Sequence, residues 1–182
     1  MPKDRVETAI KKASGQGAAA YDIIIYEGYA PHGIAVMVEA ATDNVTRTVA
    51  NVRHAFKAAG GNMGTTGSVA FMFQHQAVFR LKPEGLDRDE LELALIDHGL
   101  LALEDGENDK GEAELVVRCA FNDFGAMQHA IEGRGITPSS SSSDYAAQNL
   151  SELAEDKIDE VMKMVATLED DDDVQNVYTT LA

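Results

Sequence analysis

Five groups of residues in this sequence have types or spacing that could do chemistry. The glycine-rich segment GGNMGTTG at residues 60–67 resembles a phosphate cradle, but such a loop needs Lys and then Ser or Thr directly after its closing glycine. Here Gly67 is followed by Ser68 and Val69, so the segment reads as a helix C-cap at Gly60 or Gly61 and a tight turn into a strand. The five histidines, His32, His54, His75, His98 and His129, never stand three or four residues apart and lack carboxylates at zinc-ligand spacing. They read as surface or packing residues. The acidic run at residues 169–173 lacks the alternating ligands and the glycine of a calcium loop, and reads as a solvated turn. Cys119 is the lone cysteine, which excludes a disulfide framework or a cysteine-based zinc cluster, and its apolar surroundings mark it as a core residue. These patterns lead us to expect no catalytic residue, no metal and no cofactor.

The fifth group lies at residues 44–59. Val45, Val49, Val52 and Phe56 recur at the spacing of one helical face. Around the rest of that helix stand Arg47, Asn51 and His54 on one side, with Arg53 and Lys57 along a flank. Asp43 or Asn44 supplies the N-cap, leaving that end able to receive an anion. The candidate nucleic-acid-binding set is therefore Asn44, Arg47, Asn51, Arg53 and Lys57.

The elements that must position this helix follow from periodicity. A short helix with Arg5, Val6, Ala9 and Ile10 on it opens the chain and is closed by Gly15 and Gly17. Residues 21–29 and 33–40, rich in Ile, Val and Tyr, read as a hairpin turning at Ala30, Pro31 and His32. After the helix, residues 68–73 read as a third strand. Residues 77–81, 100–104 and 112–119 read as strands, 87–98 and 122–133 as helices, and a last strand is expected within 136–147. That is the order of a split βαβ, ferredoxin-like unit. The serines at 139–143 read as a linker or a polar edge strand. A helix at 151–168 and a strand at 174–178 close the chain. One helix and one strand cannot bury themselves, and the first segment lacks two such elements. The expected fold is α+β: two ferredoxin-like domains, the second inserted in the first, behind a short N-terminal helix. The boundaries are 1–19 for the helix, 20–76 with 150–182 for the discontinuous domain, and 77–149 for the insert.

Composition bounds the function. The 182 residues carry a formal charge of −16, but unevenly. Residues 1–76 hold 7 Lys and Arg against 6 Asp and Glu, residues 77–148 hold 6 against 15, and residues 149–182 hold 2 against 10. An anion-facing surface belongs in the first part. No stretch approaches the roughly 20 apolar residues of a membrane span, and residues 1–12 lack the apolar core of a signal peptide. A cytoplasmic protein with no membrane partner and no small-molecule substrate is expected.

The string Glu-Gly-Tyr-Ala-Pro-His-Gly from Glu27, Thr42-Asp43-Asn44 with Arg47-Thr48, Arg53 with Phe56, Gly60-Gly61-Asn62 with Gly64, and Gly67-Ser68-Val69 resemble the central motifs of the YebC/PmpR family, in order. Leu168-Glu169-Asp170 and the ending Asp173-Val174-Gln175-Asn176-Val177-Tyr178 are similar to that family's close. Ala30 and His32 stand where many members have glycine. The resemblance implies a non-enzymatic regulator of gene expression that binds DNA. The alternative is a ribosome-associated or RNA-binding translation factor, as in the mitochondrial translational activator of cytochrome oxidase. It also implies a basic N-terminal helical bundle in relatives that is absent here, since Met1-Pro2-Lys3-Asp4 resembles an internal motif.

Overall fold

The computed structural model describes residues 21–182, so the helix expected near Arg5 lies outside the described residues. The chain is α+β and divides into two compact units, one of residues up to Phe73 together with Ala147–Ala182, the other of Gln74–Ala146.

In the first unit, β1 (Asp22–Tyr29) and β2 (Ala35–Thr42) form an antiparallel hairpin in register from Asp22 opposite Thr42 to Tyr29 opposite Ala35. Its connection is a single 3-10 turn, Pro31–Gly33, in which His32 takes φ 67°, a left-handed conformation that glycine tolerates better. The His32 ring nitrogen lies 2.7 Å from the Glu160 carboxylate, tying the turn to a helix distant in sequence. There follow α1 (Val45–Ala58), the two-residue β3 (Asn62–Met63) and, after the second unit, α4 (Glu155–Glu169) and β8 (Val174–Thr179). The antiparallel sheet runs β3-β1-β2-β8. Both helices cover one face, where Tyr26, Val36, Val38 and Ala40 meet Val52, Phe56, Met164 and Leu168. Phe56 is fully buried, a contribution of about 1.5–3 kcal/mol.

The third strand is not where hydropathy places it. Residues 68–72 form a bend and a 3-10 turn, Ala70–Met72, Phe73 already begins the next strand, and the strand pairing with β1 is Asn62–Met63, inside the glycine-rich segment. Two interactions account for this. The buried Glu27 carboxylate accepts backbone N–H bonds from Gly67 (2.6 Å), Val69 (3.0 Å) and Ala70 (2.6 Å), curling the segment into a loop around one side chain. Gly28 allows Met63 and Asn62 to approach, because a Cβ there would stand 2.5 Å from the Asn62 carbonyl oxygen.

In the second unit the order is β4 (Phe73–Leu81, beginning one residue before the boundary), α2 (Arg88–Ile96), β5 (Leu100–Glu107), β6 (Ala113–Ala120), α3 (Phe124–Gly133) and β7 (Ser140–Ala147). The sheet runs β5-β6-β4-β7, the ferredoxin-like arrangement. Leu91, Leu95, Met127 and Ile131 pack on Ala77, Phe79, Leu81, Leu115 and Val117. Cys119 is part of this core, and burial followed by the charge of Asp123 pushes its thiol pKa up, away from the reactive thiolate. The serine-rich segment is the edge strand β7. At one end of β4 the His75 ring is stacked between Phe121 (3.9 Å) and Tyr145 (4.3 Å), a packing histidine.

Candidate nucleic-acid interface

Helix α1 begins where Asn44 Oδ1 accepts the Arg47 N–H (3.1 Å), and Thr42 Oγ1 accepts the Asn44 N–H (2.9 Å). Asn44 is thus the N-cap, and Asp43 has another role. The Arg47 guanidinium donates to Asp43 Oδ1 at 3.0 Å and to both carboxylate oxygens of Asp173 at 2.9–3.3 Å. Asp173 is nearly buried, and its Oδ2 also lies 2.8 Å from the Thr48 hydroxyl, which in turn lies 2.7 Å from Thr42 Oγ1. The hydrogen bonds it donates to Asp173 and then Asp43 hold the Arg47 guanidinium above its already high ordinary pKa. Its charge is spent on internal carboxylates.

This network rotates the helix away from the expected apolar face. Thr48, Val52, Ala55 and Phe56 are buried, Val49 is half-buried and Val45 is 39% exposed. A threonine takes a core position because its hydroxyl is matched by Asp173 and Thr42, whereas Val45, in the first turn, stays exposed.

With that face inward, the five candidate residues do not form one patch. Arg47 and Asn51 line an open cleft of about 600 Å³ whose opposite wall is the acidic run Asp170, Asp171, Asp172 and Asp173. The run is therefore a wall with a buried end at Asp173, and only partly a solvated turn. Asn51 and His54 border a second groove of about 300 Å³ with Thr167, Leu168, Asp170 and Asp171. Arg53 and Lys57 point elsewhere, roughly 100° around the helix from Arg47 by its 3.6-residue turn. Both are exposed, stand four residues apart, and make no ion pair or hydrogen bond among the described residues. Lys57 lies in the last turn, where the helix dipole favours a cation. Sequence reasoning missed Asp173 and Glu27 as organising residues. A lone carboxylate in a strand-like string or an acidic run gives no sign of which amide or guanidinium it will meet.

Residues 21–181 match the model of the TACO1/YebC second and third domain. Over all 182 residues the chain is 60% identical to a probable transcriptional regulatory protein of Myxococcus xanthus and 59% identical to one of Anaeromyxobacter dehalogenans. It covers 76% of each. A probable transcriptional regulatory protein of Flavobacterium johnsoniae is 48% identical, with 74% of its length covered. A crystal structure of a conserved hypothetical protein, Aq1575, from Aquifex aeolicus superposes with TM-score 0.75 at 29% identity, over 100% of this chain and 74% of that one. The fold is α+β, and these relatives carry the name of probable transcriptional regulatory proteins. The chain belongs to the TACO1/YebC family.

Proposed function

We propose that this chain is the α+β body of a regulator of gene expression that touches the phosphates of DNA through Arg53 and Lys57 on the outward side of α1. The observation carrying this reading is that these two cations are exposed, adjacent and without a partner among the described residues, while Arg47 is held by Asp43 and Asp173. The names of the relatives support it at the level of the family. Asn44 and Arg47 then position the helix, and Asn51 stands at the border between the cationic strip and the acidic cleft. We further read the first unit as a domain that carries the second as an insert. Binding is preferred to catalysis because the carboxylates of the 600 Å³ cleft include the hydrogen-bonded partners of Arg47 and Thr48, and the Ser143 hydroxyl, 2.9 Å from His75 Nε2, meets a ring held by stacking between Phe121 and Tyr145.

Two cations on a body of formal charge −16 make a small contact. A ribonucleoprotein offers basic protein surface beside its phosphates, and the same acidity favours that target as the second reading. Duplex DNA binding by fluorescence anisotropy, run beside co-sedimentation with ribosomes, separates the two. The wild type and the Arg53→Glu, Lys57→Glu double variant are compared in both. DNA binding lost in the double variant supports the first reading. Ribosome association lost in it, with no duplex affinity in the wild type, supports the second. A double variant equal to wild type in both assays contradicts the proposed face.

A further inference from the structure

We propose that the outward face of α2 in the second unit is a docking surface for a cationic amphipathic segment of a partner protein. Leu91 and Leu95 turn inward, which leaves Leu93 (71% exposed) and Ile96 (54% exposed) side by side on the solvent face, three residues apart. Two large aliphatic side chains this open on a nine-residue helix form an unpartnered apolar strip.

What surrounds the strip specifies what covers it. Asp89, Leu93 and Asp97 follow each other at four-residue spacing, and Glu92 precedes Ile96 by the same interval. Asp89, Glu92 and Asp97 are exposed and make no ion pair or hydrogen bond among the described residues. The nearby cations are already used: Arg88 binds Asp105 and the Leu103 carbonyl, and Arg134 binds Glu90. Asp89 and Glu92 repel each other at three-residue spacing, and the C-cap Asp97 places a negative charge at the negative end of the helix dipole, with no basic residue in the last turn. The face is thus electrostatically unfavourable by itself, and Lys or Arg side chains flanking an apolar stripe relieve it. Between residues 84 and 114 the chain has 12 Asp and Glu against Arg88 and Lys110. That excess repels nucleic acid and a second copy of the chain, and it attracts a basic segment. Leu93 and Ile96 then supply the apolar contact that makes the segment's helical register matter.

The probe is a labelled Lys/Leu peptide with leucines at helical i, i+3, i+4 spacing, titrated with the full chain by fluorescence anisotropy. A peptide of the same composition in scrambled order serves as control. The amphipathic peptide is expected to bind about tenfold more tightly than the scrambled one. Leu93→Ser with Ile96→Ser leaves the charge unchanged and should remove that advantage. Asp89→Asn, Glu92→Gln and Asp97→Asn together should weaken binding by about tenfold and flatten its salt dependence. Arg53→Glu with Lys57→Glu should leave the advantage of the amphipathic peptide intact. Equal binding of the two peptides, or full retention of the advantage in the serine variant, overturns the proposal. So does a chain dimer in sedimentation that the serine variant dissolves, because the face would then belong to a second copy.

Discussion

At the scale of the residue, buried polar groups divide into those with partners and those without. Tyr26 lies in the core of the first unit and its hydroxyl finds no partner among the described residues. Burial, with the charge of Asp173 as a smaller cause, raises its pKa above the ordinary 10.0. The folded state then holds the phenol proton more tightly than the unfolded chain, so this contribution to stability is complete below about pH 10 and is lost as the pH rises beyond it. Tyr26→Phe should leave stability at pH 7 unchanged or raised, since it removes a desolvated hydroxyl, and should soften the alkaline decline in urea unfolding midpoints. A loss above about 1 kcal/mol at pH 7 would show that the hydroxyl is satisfied. Asp173 is the opposite case. Asp173→Ala removes the acceptor for Arg47 and Thr48 and should cost about 2–3 kcal/mol in denaturant titration, whereas Arg53→Glu, on the open strip, should stay within about 0.5 kcal/mol.

Elements show how far local signals reach. Alternation and helical spacing place the hairpin, all four described helices and the final strand, because each has an apolar side that periodicity exposes. The last strand of the second unit is narrowed to Ser140–Ala147, and α4 starts at Glu155 instead of 151, since Ser151 pairs with Leu181. Periodicity fails where a distant side chain decides. Residues 68–73 have strand composition, yet Glu27 draws their amides into a loop, and α1 turns its threonine inward for Asp173. Glu27→Gln offers one acceptor oxygen and an NH2 group to three N–H donors. It should cost about 2 kcal/mol or more and expose the amides of Gly67, Val69 and Ala70 to hydrogen exchange. Protection unchanged from wild type in those three amides would mean that the loop holds its shape without the carboxylate. The candidate site was legible only in part. Charge and spacing identify Arg53 and Lys57 as well as Arg47, but the sequence cannot tell which cation is already paired, because Asp173 is 126 residues away from Arg47.

For the whole molecule, charge is the main determinant of how it meets a partner. Both basic and acidic features survive folding as separate surfaces: a two-residue cationic strip on α1, an acidic cleft beside it, and the carboxylate-rimmed apolar face of α2. A contact with two phosphates releases few counterions, so the logarithm of duplex affinity should fall against log salt with a slope of only about −1.8, at about −0.9 per phosphate. Binding near physiological salt is then marginal.

The most direct test of this account is the salt slope of nucleic-acid binding measured for the wild type, Arg53→Glu with Lys57→Glu, and Asp173→Ala. The account predicts the shallow slope in the wild type and loss of low-salt binding in the Arg53, Lys57 double variant with an unchanged unfolding midpoint. For Asp173→Ala it predicts retained or strengthened binding once Arg47 is released, at temperatures where that variant is folded. A double variant that keeps both the affinity and the slope of the wild type would contradict it, and would place the nucleic-acid contact away from α1.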